Sequence, residues 1–308
     1  MTDSVSAADL RQSGKWNPLR EQAEALGVAL PPLLVAAERL ASAVSLGVHG
    51  RRKAGMGETF WQFRRYQAED PVTAIDWRQS AKSQHLFVRQ REWEAAEAVW
   101  FWRDGSAGMR FKSAYSDVTK IDRASVLALA LASLLVRGGE RIALLGDGRG
   151  PSSGRVQLRR IAHEVIELAP DDTPLPPDSP MTKNVQFVWL SDFLSPFAEI
   201  ETVIRRLAHA GLTGHLVHIV DPAEEDFPYE GRVRFEAARG MQSETLGRAE
   251  SVHEAYRARF QAHAEALSMF ARRLGWSYLA HRTDKRPELA LVALYTDLGG
   301  ARARRQHA

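Results

Sequence analysis

The chain has 308 residues, 44% of them apolar, and a formal net charge of +3. That length allows one large domain or two ordinary ones, with enough apolar residues for a sizeable core. The absence of cysteine excludes disulfides, thiol nucleophiles and Cys-ligated zinc or iron–sulfur sites, and the mild positive charge is not that of a dedicated nucleic-acid binder.

Residues 1–16 are polar and lack the apolar stretch of a secretory leader, so a disordered tail and a cytoplasmic location are expected. No apolar run reaches the roughly eighteen residues of a membrane span, so no membrane insertion is expected. From Asn17 to Leu46 the spacing is helical. Ala23, Leu26 and Leu30 form one apolar face, Pro31-Pro32 interrupts it, and Leu34, Ala37, Leu40 and Val44 resume it. Gly47 and Gly50 are placed as helix stops.

Between Gly50 and Glu94 the helical period disappears. Phe60, Trp61, Phe63 and Tyr66 crowd into seven residues, and Asp70-Pro71 signals a turn. Leu86 and Val88 alternate with Phe87 and Arg89, which predicts a strand. Residues 17–94 therefore read as a small helical and β-rich appendage.

Residues 95–300 then alternate short apolar strands with helices. Strands are expected at Ala98–Trp102, Arg141–Leu145, Val185–Leu190, His215–Val220 and Trp276–Ala280, with a short edge strand at Arg232–Glu236. Helices are expected at Ile121–Val136, Val156–Leu168, Pro196–Ala210, Val252–Leu274 and Pro287–Leu298. The basic residues 301–308 read as a disordered tail. This rhythm predicts a mostly parallel, Rossmann-like sheet with helices on both faces. Ligand sites in such sheets lie beyond the C-terminal strand ends. Asp104, Asp147, Asp192 and Asp221 each follow a strand there, although aspartate also simply suits turns and helix starts.

The block Gly57-Glu-Thr-Phe60, Phe63-Arg-Arg-Tyr66, Asp70, Ile75-Asp-Trp77, Ser80-Ala-Lys82, Val88-Arg89 and Glu92 resembles the DUF58 family in order and spacing. Ser191-Asp-Phe193, Asp221-Pro-Ala-Glu224 and a long helix carrying Tyr256 extend the resemblance over nearly the whole chain. The resemblance implies a three-layer von Willebrand factor A-like domain, and a non-enzymatic partner of a MoxR-type AAA+ ATPase. Such a pair would mature client proteins, or insert their metals or cofactors, as a chaperone does.

The resemblance also implies a metal site of the pattern Asp-x-Ser-x-Ser. Asp104 and Ser106 match it, Gly108 replaces the second serine, and Asp192 matches the second aspartate. Mg2+ or Mn2+ is the implied ion, held at a degenerate site, with Ser152 or Ser153 in place of the usual threonine. In this reading the loops at Asp104, Asp192 and Asp221 form the contact face. A metal-dependent hydrolase using Asp104 and Asp192 is the alternative, although no general base is evident.

The signature residues Gly57, Phe60, Arg64, Arg65, Tyr66, Asp70, Asp76, Trp77, Ala81, Lys82 and Arg89 have two readings. One is packing, with Arg64 or Arg65 paired to Asp70 or Asp76 around Phe60, Tyr66 and Trp77. The other is a docking face. Nucleic-acid binding by this Arg-aromatic block is opposed by Glu58, Glu69, Asp70 and Asp76. Gly146-Asp-Gly-Arg-Gly150 lacks the Lys-Ser/Thr of a phosphate loop and reads as a turn. His215 and His218, three apart on a strand, face opposite sides.

Overall fold

The computed structural model describes residues 32–49, 61–67, 70, 72–91, 97–167, 174–236 and 243–306. In chain order these form α1 (Pro32–His49), β1 (Trp61–Arg65), α2 (Trp77–Ser80), β2 (Phe87–Arg91), β3 (Ala98–Arg103) and α3 (Lys120–Arg137). Then come β4 (Arg141–Leu144), α4 (Arg155–Glu167), β5 (Gln186–Ser191), α5 (Phe197–His209), β6 (Thr213–Val220) and α6 (Pro222–Asp226). The chain ends with β7 (Val233–Glu236), β8 (Ser243–Leu246), α7 (His253–Arg273), β9 (Ser277–Arg282) and α8 (Pro287–Gln306).

The central sheet has five strands in the order β4-β3-β5-β6-β9, and every pairing within it is parallel. Alternation along each strand sends side chains to two cores. Val99 and Phe101 of β3 face the layer built by α1, α3, α4 and α8. Trp100 and Trp102 face the opposite layer, where Ile200 and Ile204 of α5 meet Leu267 and Phe270 of α7. The result is a three-layer α/β architecture, as the strand–helix rhythm predicts. His215 and His218 point to opposite faces, the first bonded to Gln186 and Ser277 and the second to Tyr278.

Three features differ from expectation. Leu34, Ala37, Leu40 and Val44 of α1 are part of the main core, so the helical portion of the appendage is built into the domain. The edge strand near Arg232 does not join the central sheet; β7 pairs with β8 in a separate two-stranded ribbon. β8 reads Ser-Glu-Thr-Leu and is mostly exposed, so no apolar alternation marks it. The last helix continues past Leu298 to Gln306.

The signature block forms a small antiparallel ribbon, β1 with β2, in which Arg64 lies opposite Val88 and Phe63 opposite Arg89. Gly57 and Phe60 lie outside the described residues. Asp76 caps α2 by accepting from the Gln79 N–H at 2.9 Å, and Asp70 accepts from the Gln67 N–H at 2.9 Å. Ser80 ties α2 to β2, because its hydroxyl donates to the Asp76 carbonyl and accepts from the Phe87 N–H. In the packing reading Trp77 helps to fill a small core; it is instead 62% exposed, whereas Ile75 and Val88 are buried. Ala81 and Lys82 are exposed, Arg65 is exposed and Tyr66 half-buried.

Candidate functional site: a buried carboxylate cluster

β3, β5 and β6 lie side by side and run in the same direction, so the residues that follow them share one edge of the sheet. Asp104 comes directly after β3, Asp192 after β5 and Asp221 after β6. The strand-end aspartates are thus brought together, except Asp147. That residue accepts from the Arg149 N–H inside its own turn and pairs with Arg160.

The three are not an open acidic rim. Asp104 and Asp221 have no exposed surface, and Asp192 keeps 4%. The expectation that these loops offer an acidic contact face is therefore corrected: the carboxylates are buried beneath them. Burying a carboxylate is costly unless donors satisfy it, and donors are present throughout. Asp104 Oδ1 accepts from the Ser106 N–H at 2.8 Å, and Oδ2 accepts from the Ser191 hydroxyl at 2.7 Å. Asp192 Oδ1 accepts from the Leu194 N–H at 3.2 Å, and Oδ2 from the Lys120 ammonium at 2.9 Å. Asp221 accepts from the Ala223 and Ser113 N–H groups, at 2.9 and 3.0 Å.

Two further residues complete the cluster, and neither is among the expected ligands. Lys120, the first residue of α3, is fully buried and contacts both Asp192 and Glu224. Glu224 Oε2 also accepts from the Asp221 N–H at 3.0 Å, which closes a reciprocal capping box at the start of α6. The sequence carries one sign of Lys120. It shares a helix face with Ala124, Leu127 and Leu131, all buried, so a lysine there needs an acidic partner.

Burial raises the Asp104 carboxyl above its ordinary range, and the neighbouring Asp192 charge adds to the rise. Burial opposes the Lys120 ammonium, but Asp192 and Glu224 overcome this and hold it above the usual lysine value. Burial likewise pushes Glu224 upward, against the pull of Lys120. Next to the cluster, burial lowers His218 to about 4, so its ring is neutral at pH 7.

The expected metal ligands Asp104, Ser106 and Asp192 do converge. A Cβ on Gly108 would lie 3.0 Å from Asp192 Oδ2 and 3.9 Å from Ser106 Oγ, so the position of the missing serine borders the same spot. The set does not fit a divalent ion, however. The Asp192 oxygen that faces this spot is the one Lys120 holds. Apart from this Asp–Ser–Asp set, no group of three or more His, Asp or Glu side chains among the described residues is arranged to hold a metal. Ser152, named with Ser153 as the stand-in for the usual threonine, is instead bridged to Ile142 on the outer strand β4.

A family model described as "Protein of unknown function DUF58" matches residues 62–268. The chain is 27% identical over 279 residues to the uncharacterized proteins Mb1516 of Mycobacterium bovis and Rv1480 of Mycobacterium tuberculosis. Each match spans 84% of this chain and 86% of the relative. Among solved structures, BatB from Bacteroides thetaiotaomicron aligns with 12% identity and a TM-score of 0.41, covering 67% of this chain and 98% of that one. An aerotolerance-related membrane protein from Bacteroides fragilis aligns with 13% identity and a TM-score of 0.39, over 65% and 99%. Among the described residues of this chain, no helix is long and apolar enough to cross a membrane.

Proposed function

Since this chain belongs to the DUF58 family, we propose that it is a non-enzymatic interaction module that docks a partner on the C-terminal edge of its parallel sheet. The observation that carries this reading is the surface above the carboxylate cluster. Phe111 and Tyr115, on the loop after β3, and Leu194, on the loop after β5, are all exposed there. Large apolar side chains gathered at one edge suit a protein interface. Beneath them, the carboxylate–lysine cluster pins both loops to the sheet. Asp192 Oδ2, the oxygen that faces the expected metal position, is held by the Lys120 ammonium, which disfavours the hydrolase alternative.

In this reading the fold is von Willebrand factor A-like and the partner is a MoxR-type AAA+ ATPase, as the signature block implies. The pair acts in the cytosol on client proteins during their maturation or their loading with a metal or cofactor. The test is capture of the purified chain by the MoxR-type ATPase of the same organism, with ATP and without nucleotide. Leu194→Asp and Tyr115→Asp should weaken capture at least tenfold while leaving the melting temperature unchanged. Binding that ignores both substitutions, or no binding in either nucleotide state, rejects the reading.

A further inference from the structure

The pattern Asp104-x-Ser106-x-Gly108 with Asp192 has the outline of a divalent-cation site, yet its inner oxygen is occupied by a side chain of the same molecule. Lys120 donates to Asp192 Oδ2 at 2.9 Å, contacts Glu224, and has no exposure to solvent. That oxygen is also the one nearest Gly108, where the second hydroxyl of a metal site would stand. We propose that Lys120 is a built-in replacement for the metal ion, so that the site is closed by its own ammonium and takes up no divalent cation. This inference does not depend on the docking role proposed above.

Three observations support it. First, an ammonium held between two carboxylates repels a second cation brought to the same oxygens. Second, Lys120 sits at the start of α3, where the helix dipole disfavours positive charge, so local preference does not account for a lysine there. The facing carboxylates do. Third, Gly108 removes a hydroxyl that a metal would use and an ammonium does not need. An ammonium requires only acceptors, and Asp192 and Glu224 provide them.

The test uses the full chain, titrated by calorimetry with MgCl2 and MnCl2 and melted with and without chelator. Wild type should give no heat beyond dilution and an unchanged melting temperature. Lys120→Ser should melt about 10 °C lower, as expected for a buried pair left without its cation. Millimolar Mn2+ should restore part of that loss. Should Lys120→Ser fail to fold, Lys120→Arg keeps a cation and should fold while ignoring Mn2+. The proposal is overturned by metal-dependent heat or melting in wild type, or by a Lys120→Ser protein as stable as wild type. A destabilised Lys120→Ser on which Mn2+ has no effect would equally overturn the equivalence of lysine and metal, as would a Lys120→Arg that binds Mn2+.

Discussion

Lys120 and Asp192 are 72 positions apart in the chain, yet the lysine ammonium donates to Asp192 Oδ2 at 2.9 Å with no exposure of its own. Alone, either charge would be prohibitive at this depth; together, with Glu224, they are tolerated. The pair ties the start of α3 to the end of β5, and through Glu224 to α6 as well. It therefore fixes the geometry of the loops that carry Phe111, Tyr115 and Leu194.

Asp221 caps α6 and also holds the loop before α3 through the Ser113 N–H. Asp221→Ala removes the cap and leaves a buried donor without its partner. A lost cap costs about 1 kcal/mol and an orphaned buried N–H about 1–3 kcal/mol. Urea unfolding should show a loss of about 3 kcal/mol, and a loss below about 1 kcal/mol would mean that the loop finds another acceptor.

The Asp104 carboxyl titrates above its ordinary range because of burial and the nearby Asp192 charge. An acid whose folded value is raised binds more protons in the folded state. Its contribution to stability therefore declines as pH rises from about 4 upward. Asp104→Asn keeps an acceptor for the Ser106 N–H and removes the charge. Relative to wild type, this variant should gain stability between pH 4.5 and pH 7 in urea titrations. A constant difference across that interval would contradict the assigned shift.

The His218 ring behaves in the opposite sense. Burial lowers it from 6.5 to about 4, so the folded protein holds it neutral where the unfolded chain would protonate it. Its contribution is present above pH 6.5 and is lost as pH falls toward 4. The full loss is roughly 3 kcal/mol at about 1.4 kcal/mol per unit. His218→Gln, which retains a polar partner for the Tyr278 hydroxyl, should flatten the acid limb of the stability curve. An unchanged acid limb would assign that loss to other groups, with His281, also lowered to about 4, the first to examine.

Gly214 in β6 lies flat against the Trp276 ring, and an added Cβ would fall 1.9 Å from it. The indole cannot retreat freely, since its N–H donates to the Leu212 carbonyl at 3.2 Å. Gly214→Ala should therefore cost about 3 kcal/mol or more through overpacking, read as a lower urea midpoint and loss of near-ultraviolet circular dichroism. Wild-type stability in this variant would show that the β6–β9 edge can shift to admit a methyl group.

Periodicity and composition were enough to foretell the parallel sheet, because strands buried on both faces must be apolar throughout and their helices must carry an apolar stripe. The pairing of β3, β5 and β6, which sets Asp104, Asp192 and Asp221 side by side, follows from strand order in space and is not written in any one segment. β8 escaped notice because its exposed polar residues carry no alternation, and Trp77 reads as a core residue although it lies at the surface. The sequence by itself determined that aspartates directly follow the strands of an α/β sheet, and so lie at its carboxyl edge. Only the tertiary structure decided that they face inward onto Lys120. A carboxylate looks the same in sequence whether it meets water or an ammonium, and the choice depends on loops and helices that meet across 72 and 104 positions of chain.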